Sequence, residues 1–514
     1  FWGALIILGE IMISSQGHLF DLWIGNFRFS LRMGLFLIIL IIALAQFLIP
    51  NFKFLINFQF LILKQRIIFN TRYLISNYKF YLLLAIFIIF GIINGLLNHN
   101  NLNFLYQDAN SYLFFLLLPI FILSLRNTKY EIRNTKILTI WSAAIIWQFI
   151  AVVSLLFLYG HLDVFWHNLV PIYSWFRDQR IIEVGLYKYN FYRIFMQSGI
   201  WALTGFFVFL SAWLFSKCRP LFDCSIVQLF NKLRRLNKKR NNNRTIEESN
   251  NDHFASQNLT LRLILIAAIT TLIISLSRSF WVGGFLTSIG FVIFYLYTQR
   301  PKLKTLLHQS INLAAILIAS FAIIAITLLI PIGQIPGLKS LSFLEERTME
   351  TEEPAISSRW NLLPVLWQKI KPDFLLGRGF GATVTYKTSD PRYLQAHPNN
   401  PYYTAFAFEW GWFDVWYKIG LLGLLTYLLL LFNILKSGWK IVQSSKFKVQ
   451  SCNSKLKVLP IGLFFGLIAL IIVNFFSPFL NHPLGIGYVL LADAIFRSSG
   501  SNFQKTSAFL SERI

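Results

Sequence analysis

Charged side chains are scarce in this chain: Asp, Glu, Lys and Arg make up 13% of its 514 residues, against 55% hydrophobic and 17% aromatic. So little charge cannot clothe a water-facing surface of that size, which excludes a soluble globular protein. The strict apolar–polar alternation of membrane barrel strands is missing as well, which leaves membrane-crossing helices. Cysteine is nearly absent. The three present, Cys218, Cys224 and Cys452, lack the paired spacing of a zinc site, and neither a disulfide nor a bound metal or other cofactor is expected. Acidic residues are the scarcer sign, 22 against 47 basic, for a formal net charge of +25. No aromatic-basic binding module accompanies that excess, so nucleic acid is not an expected partner.

What the chain has in quantity is apolar runs, most of them about 17 to 24 residues long, the length that a roughly 30 Å hydrocarbon layer demands of a helix. They lie near residues 2–13, 34–50, 80–97, 111–125, 137–159, 194–215, 260–277, 280–298, 311–332, 412–435, 459–480 and 484–496. The expected fold class is therefore all-α: a polytopic transmembrane bundle of about twelve spans with one large extracytoplasmic loop domain. Residue 1 is Phe and the first run is short, so the chain is expected to have lost its true beginning. Basic residues fill every second loop: Lys53 to Lys79, Arg126 to Lys136, Lys232 to Arg244, Arg300 to Lys304, and Lys436 to Lys457. This positive-inside alternation puts both termini and all three cysteines in the cytoplasm, sets the basic loops against membrane lipids, and places the polar segment after residue 333 outside. The Asn-rich stretch 231–258 is expected to be a disordered cytoplasmic connector. Three regions result: 1–260, with the basic loop 217–259; 261–435, with the outer loop 333–411; and 436–514.

The outer segment carries the candidate chemistry. Arg278, in Ser277-Arg278-Ser279, sits in the tight connection between two apolar runs at the predicted outer face, where a pinned cation is more often functional than decorative. Arg359 precedes an amphipathic stretch and is expected near the start of an interfacial helix, with an ion pair to Glu352 or Glu353 as its ordinary alternative. A guanidinium is the side chain best matched to a diphosphate, because its planar fork donates paired hydrogen bonds and never loses its proton. Gly377, Gly379 and Gly381 have the wrong spacing for a dinucleotide fingerprint and are expected to form a turn, where glycine serves either to adopt left-handed backbone or to let the chain pass close to a ligand or a neighbouring helix; Arg378 between them is expected to be solvated rather than to touch phosphate. His397 is the one imidazole of this segment and can take a proton from a sugar hydroxyl near neutral pH. Asn399, Asn400 and Tyr402 beside it suit glycan or acceptor hydroxyls. A helix is expected to begin at Tyr402 and Tyr403, which would put Glu409 about two turns on as a carboxylate partner, with Asp414 a second option.

The order Ser-Arg-Ser, then Ser-Arg-Trp, Gly-x-Gly-x-Gly, His-Pro-Asn-Asn-Pro-Tyr-Tyr, Glu-x-Gly and Gly420-Leu421-Leu422-Gly423 resembles the O-antigen ligase and polymerase superfamily, over residues 261–435. The resemblance implies a bacterial inner-membrane enzyme that moves a glycan from undecaprenyl diphosphate to a lipid or glycan acceptor on the outer side, without nucleotide sugar or metal. It further implies that Arg278 and Arg359 bind the diphosphate and that a loop histidine activates the acceptor. Many relatives read His-x-His-Asn; Asn399 stands in place of the second histidine here, leaving His397 as the candidate. The alternative is a multi-span transporter or flippase of lipid-linked glycans. Such proteins place ionisable groups at mid-membrane in two matching halves, whereas the polar chemistry here gathers in one asymmetric segment.

Overall fold

The computed structural model of the chain describes residues 2–15, 21–24, 27–48, 71–126, 128, 130–162, 166–186, 191–215, 246–331, 354–389, 391–444 and 458–511. Among these, helices α1 (Trp2–Ile13), α2 (Leu31–Leu48), α3 (Thr71–Leu97), α4 (Leu102–Leu113), α5 (Leu118–Arg126), α6 (Tyr130–His161), α7 (Trp166–Asp178), α8 (Gly199–Phe215), α9 (Ile246–Ile274), α10 (Arg278–Gln299) and α11 (Leu303–Leu329) make the first part of a bundle. It is completed by α12 (Pro354–Ile370), α13 (Pro391–Ala396), α14 (Gly411–Ser444), α15 (Val458–Val473) and α16 (Pro483–Ser511). Among the described residues three short antiparallel strand pairs interrupt the helices: β1–β2 (Asp21–Ile24, Phe27–Ser30), β3–β4 (Ile182–Leu186, Tyr192–Met196) and β5–β6 (Val384–Lys387, Tyr402–Ala405).

Six described helical stretches are long and apolar enough to cross a membrane: Tyr78–Leu97, Leu102–Ile122, Ile132–His161, Arg278–Gln299, Leu303–Leu329 and Gly411–Gln443. Five further apolar helices are shorter, among them α8 and α15. These two are buried almost all round and form the centre of the bundle. They approach closely because Gly462 faces Val208, where a Cβ would come within 2.3 Å of the opposite Cα; small residues at a helix contact do the work of packing where lipid offers no hydrophobic drive. Ser211 of α8 adds a hydrogen bond to the Val458 carbonyl at 2.9 Å. Outer helices such as α11 instead expose apolar side chains, Ile318 and Ile326 among them.

The predicted apolar runs fall on these helices, with instructive departures. The run at 194–215 begins as strand β4, whose alternating burial follows its antiparallel register with β3, Val184 opposite Ile194. Helix α9 starts at Ile246, inside the stretch expected to be a disordered connector. Arg133, expected in a basic loop, lies within α6 and is 1% exposed. It donates to the Leu125 carbonyl (3.0 Å) and Ser498 Oγ (2.7 Å), satisfying a carbonyl that the end of α5 leaves open.

α14 is kinked at Gly420, where φ is 73° and ψ 176°. The break frees backbone groups, and the turn after α12 takes them: the Arg378 N–H donates to the Tyr417 carbonyl (2.7 Å), Gly379 N–H to Lys418 (3.0 Å), and the Leu421 and Leu422 N–H groups donate to Phe374 (3.0 Å) and Leu375 (3.3 Å). A helix interrupted without such partners would leave buried polar groups unpaired. Gly377, Gly379 and Gly381 all have positive φ, as their sequence predicts, and the turn they form also docks on α3, the Phe380 N–H donating to the Gly91 carbonyl at 2.9 Å.

Candidate functional site

At one end of the bundle three connections meet: the turn before α10, the turn between α15 and α16, and the stretch before α14. Ser279 and Ser477 share a hydrogen bond at 3.0 Å, and the Phe280 and Phe479 rings lie 5.5 Å apart. Asn481 Nδ2 donates to the Gly411 carbonyl at 3.1 Å, and the Phe476 and Trp410 rings lie 6.0 Å apart. Arg278 is the first residue of α10, after the extended Ser277, so its guanidinium adds to the positive end of a helix dipole. A second cation, Arg193 of β4, reaches the same turn: its Nε donates to the Ser275 carbonyl at 3.0 Å, and its guanidinium lies 5.1 Å over Phe195. The period of two in Tyr192 to Met196 is the signal that marks it, and the apolar run that follows hides that signal.

Arg359 reaches this end from α12. That helix buries Leu362, Leu366 and Ile370, spaced one turn apart, against Ala382, Val384, Ala405, Phe408 and Tyr417. The half-buried Arg359 side chain pairs with the carboxylate of Glu409. The contact is fixed from behind: Trp410 Nε1 donates to the Arg359 carbonyl at 3.0 Å, and its ring meets Trp360 edge-on at 5.3 Å. Glu352 and Glu353 lie outside the described residues. Exposed pairs of this kind contribute little stability, so what matters is the position of the two groups. Between α12 and the first turns of α14 an open apolar cleft of about 490 Å³ is lined by Leu363, Pro364, Trp367, Phe413 and Trp416.

The helix expected from Tyr402 is a strand. Tyr402 to Ala405 pairs with Val384 to Lys387, with Thr385 and Thr404 hydrogen-bonded across it at 2.8 Å and the Tyr386 and Tyr403 rings edge-on at 6.0 Å; aromatic and β-branched cross-strand pairs of this sort stabilise a hairpin. Glu409 therefore lies in the connection between β6 and α14, two residues before the helix. His397 sits beyond the other end of β6. Its ring stacks on Tyr393 at 4.4 Å and Nδ1 lies 3.3 Å from the Tyr393 carbonyl, while its own carbonyl accepts from the Asn400 N–H at 3.1 Å. Asn400 Oδ1 in turn accepts from the Tyr402 N–H at 3.1 Å, and Tyr393 Oη donates to the Tyr402 carbonyl at 2.9 Å. His397, Asn399, Asn400 and Tyr402 thus form an exposed rim. Three further strand residues, Tyr403 to Ala405, spanning on the order of 10 Å, intervene between that rim and the Glu409 connection. Arg378 is exposed, with Asp373 as its ion-pair partner at 3.4 Å. Asp414 is buried in an ion pair with Lys418 at 2.9 Å and does not face this surface.

These features describe a multi-pass helical membrane protein with cations, a carboxylate and aromatic faces gathered at one end. Residues 263–428 match the family model of the O-antigen ligase domain, which supports the O-antigen ligase superfamily for the stretch holding Arg278, Arg359 and Glu409, and with it a membrane glycosyl-transferring function. No curated protein matches the chain.

Proposed function

We propose that this end of the chain transfers a glycan from undecaprenyl diphosphate to an acceptor hydroxyl on the outer face of the inner membrane, in the manner of an O-antigen ligase or polymerase. The observation that carries the reading is the pairing of Arg359 with Glu409 at the end of the bundle where Arg278 opens α10. Arg278 and Arg359 neutralise the diphosphate, and the apolar cleft beside Trp367 accepts the first lipid units. As the diphosphate takes the Arg359 guanidinium, Glu409 is released to receive the acceptor proton. The acceptor oxygen forms its bond to the anomeric carbon while the bond from that carbon to the diphosphate oxygen breaks; the proton goes to Glu409 and the electron pair leaves with undecaprenyl diphosphate. The configuration inverts. Charge grows on the departing diphosphate, so prearranged guanidiniums supply the largest stabilisation. The His397 rim, with Asn399, Asn400 and Tyr402, holds the acceptor or glycan, since flat aromatic faces and amides suit sugar hydroxyls.

The test uses purified protein in liposomes with lipid-linked glycan and acceptor-bearing membranes from the same cells, and follows release of undecaprenyl diphosphate by mass spectrometry. Glu409→Gln is expected to slow release by about 10²- to 10⁴-fold, and Arg359→Gln by about 10²- to 10³-fold. His397→Ala is expected to raise the acceptor KM alone. A flippase would move the donor without releasing its carrier, so absence of release by the wild-type protein refutes the reading. Loss of turnover in His397→Ala with normal turnover in Glu409→Gln would transfer the base role to the imidazole.

A further inference from the structure

Beneath the paired Arg359 and Glu409 lies a charged cluster that the transfer step does not use. Lys418 of α14 is 2% exposed, and its Nζ bridges Asp108 Oδ1 of α4 at 2.7 Å and Asp414 Oδ1, one turn back along its own helix, at 2.9 Å. The other oxygens are also engaged. Asp108 Oδ2 accepts from the Gly381 N–H at 2.8 Å, and Asp414 Oδ2 from Asn481 Nδ2 at 2.7 Å. Phe408 closes over the ammonium at 5.6 Å.

The path continues outward. Asn481 Nδ2 also donates to the Gly411 carbonyl at 3.1 Å, which fixes the first residue of α14. Gly411 is itself packed so tightly that a Cβ would lie 2.5 Å from the Asn474 carbonyl. One residue before it, Trp410 donates to the Arg359 carbonyl, and one residue before that is Glu409. A chain of polar contacts thus runs from the glycine turn, through Asp108 of α4, Lys418, Asp414 and Asn481, to Gly411, two residues after Glu409. A lysine between two buried carboxylates is a weak source of stability, because removing three charges from water costs about as much as their attraction returns; the best-attested use of such a cluster is to set register.

We propose that Lys418 is a positioning residue: by joining Asp108 to Asp414 and, through Asn481, to Gly411, it sets where Glu409 stands relative to the donor held by the arginines. The inference rests on the glycan-transfer reading above. Moving a reacting group by about 1 Å costs on the order of a hundredfold in rate, whereas Arg278 and Arg359 bind the donor from other helices. The expected signature is therefore a fall in kcat with little change in donor KM.

Two variants test it in the undecaprenyl diphosphate release assay, with rates expressed per folded molecule and thermal unfolding measured alongside. Lys418→Met removes the bridge. Asn481→Ala cuts its last link with no change of charge, so it stays informative if the lysine variant does not insert. Each is expected to lower kcat about tenfold or more and to leave the donor KM within about twofold. If the wild-type protein is active, Glu409→Gln is inactive and Asn481→Ala turns over at the wild-type rate, the positioning role is refuted while the transfer reading stands. If the wild-type protein releases no undecaprenyl diphosphate, both fall together.

Discussion

Replacing Gly379 with alanine tests how the glycine turn holds the kinked helix. Gly379 has φ +87°, and a Cβ built there would lie 2.1 Å from the Gly95 nitrogen and 2.5 Å from its Cα, both backbone atoms of α3 that no rotamer change can move. The turn must lift away. Doing so breaks the bonds from Arg378 to Tyr417, from Gly379 to Lys418 and from Phe380 to Gly91, each contributing about 1 kcal/mol net. An alanine forced into left-handed backbone costs about 1–2 kcal/mol more. Together these give a loss on the order of 4–5 kcal/mol, at the severe end for a single substitution. Unfolding by SDS titration of the purified protein from mild detergent would measure it. Gly185→Ala in β3 is the control, since no atom lies within 4 Å of its Cβ and its φ is not positive; a change within about 0.5 kcal/mol is expected. If the two variants unfold together, the turn is not what supports the Gly420 kink, and the docking argument is wrong.

Two further predictions concern the ends of the site. Arg193→Gln removes a cation from the turn that precedes Arg278, and is expected to raise the donor KM about tenfold, equivalent to ~1.4 kcal/mol, with kcat unchanged; an unaltered KM would show that Arg193 only braces the Ser275 turn. The charge alternation of the sequence predicts the His397 rim outside and Cys218, Cys224 and Cys452 inside. A membrane-impermeant maleimide should therefore label Asn399→Cys in intact spheroplasts and reach the native cysteines only after lysis. The opposite pattern would place the rim in the cytoplasm and end the outer-face assignment.

The parts legible in the sequence are those that one local constraint determines. A lipid layer requires long apolar helices, and the runs at 280–298 and 412–435 reappear in α10 and α14. Arg278 stands out because a polar tripeptide interrupts two such runs. Left-handed backbone at Gly377, Gly379 and Gly381 follows from glycine alternating through a polar stretch. Where two rules compete, the longer pattern masks the shorter one: Tyr192 to Met196 alternates as a strand but is apolar enough to merge with the run after it. Gly420 poses a different problem. A helix tolerates an isolated glycine, so nothing local announces a kink there; the break is stable only because residues 374–379, distant in sequence, supply the missing partners.

The same limit explains the two candidates for the base. Imidazole chemistry makes His397 attractive from sequence, because imidazoles in general exchange protons near neutral pH, but proton transfer depends first on reach and only then on affinity. Reach is a property of contacts that cross the chain. Glu409 meets Arg359 because Trp410 is bonded to the carbonyl of that arginine, Gly411 is held by Asn481, and Asn481 is held by an aspartate paired with Lys418. None of these links lies within one helical turn of Glu409 except the neighbours that carry it. Lys418, Asp108 and Asp414, read singly in an apolar stretch, are three desolvation penalties; joined, they are one ion cluster whose geometry sets the start of α14. The sequence displays the chemical groups, and only the assembled bundle decides which of them can act on the same substrate.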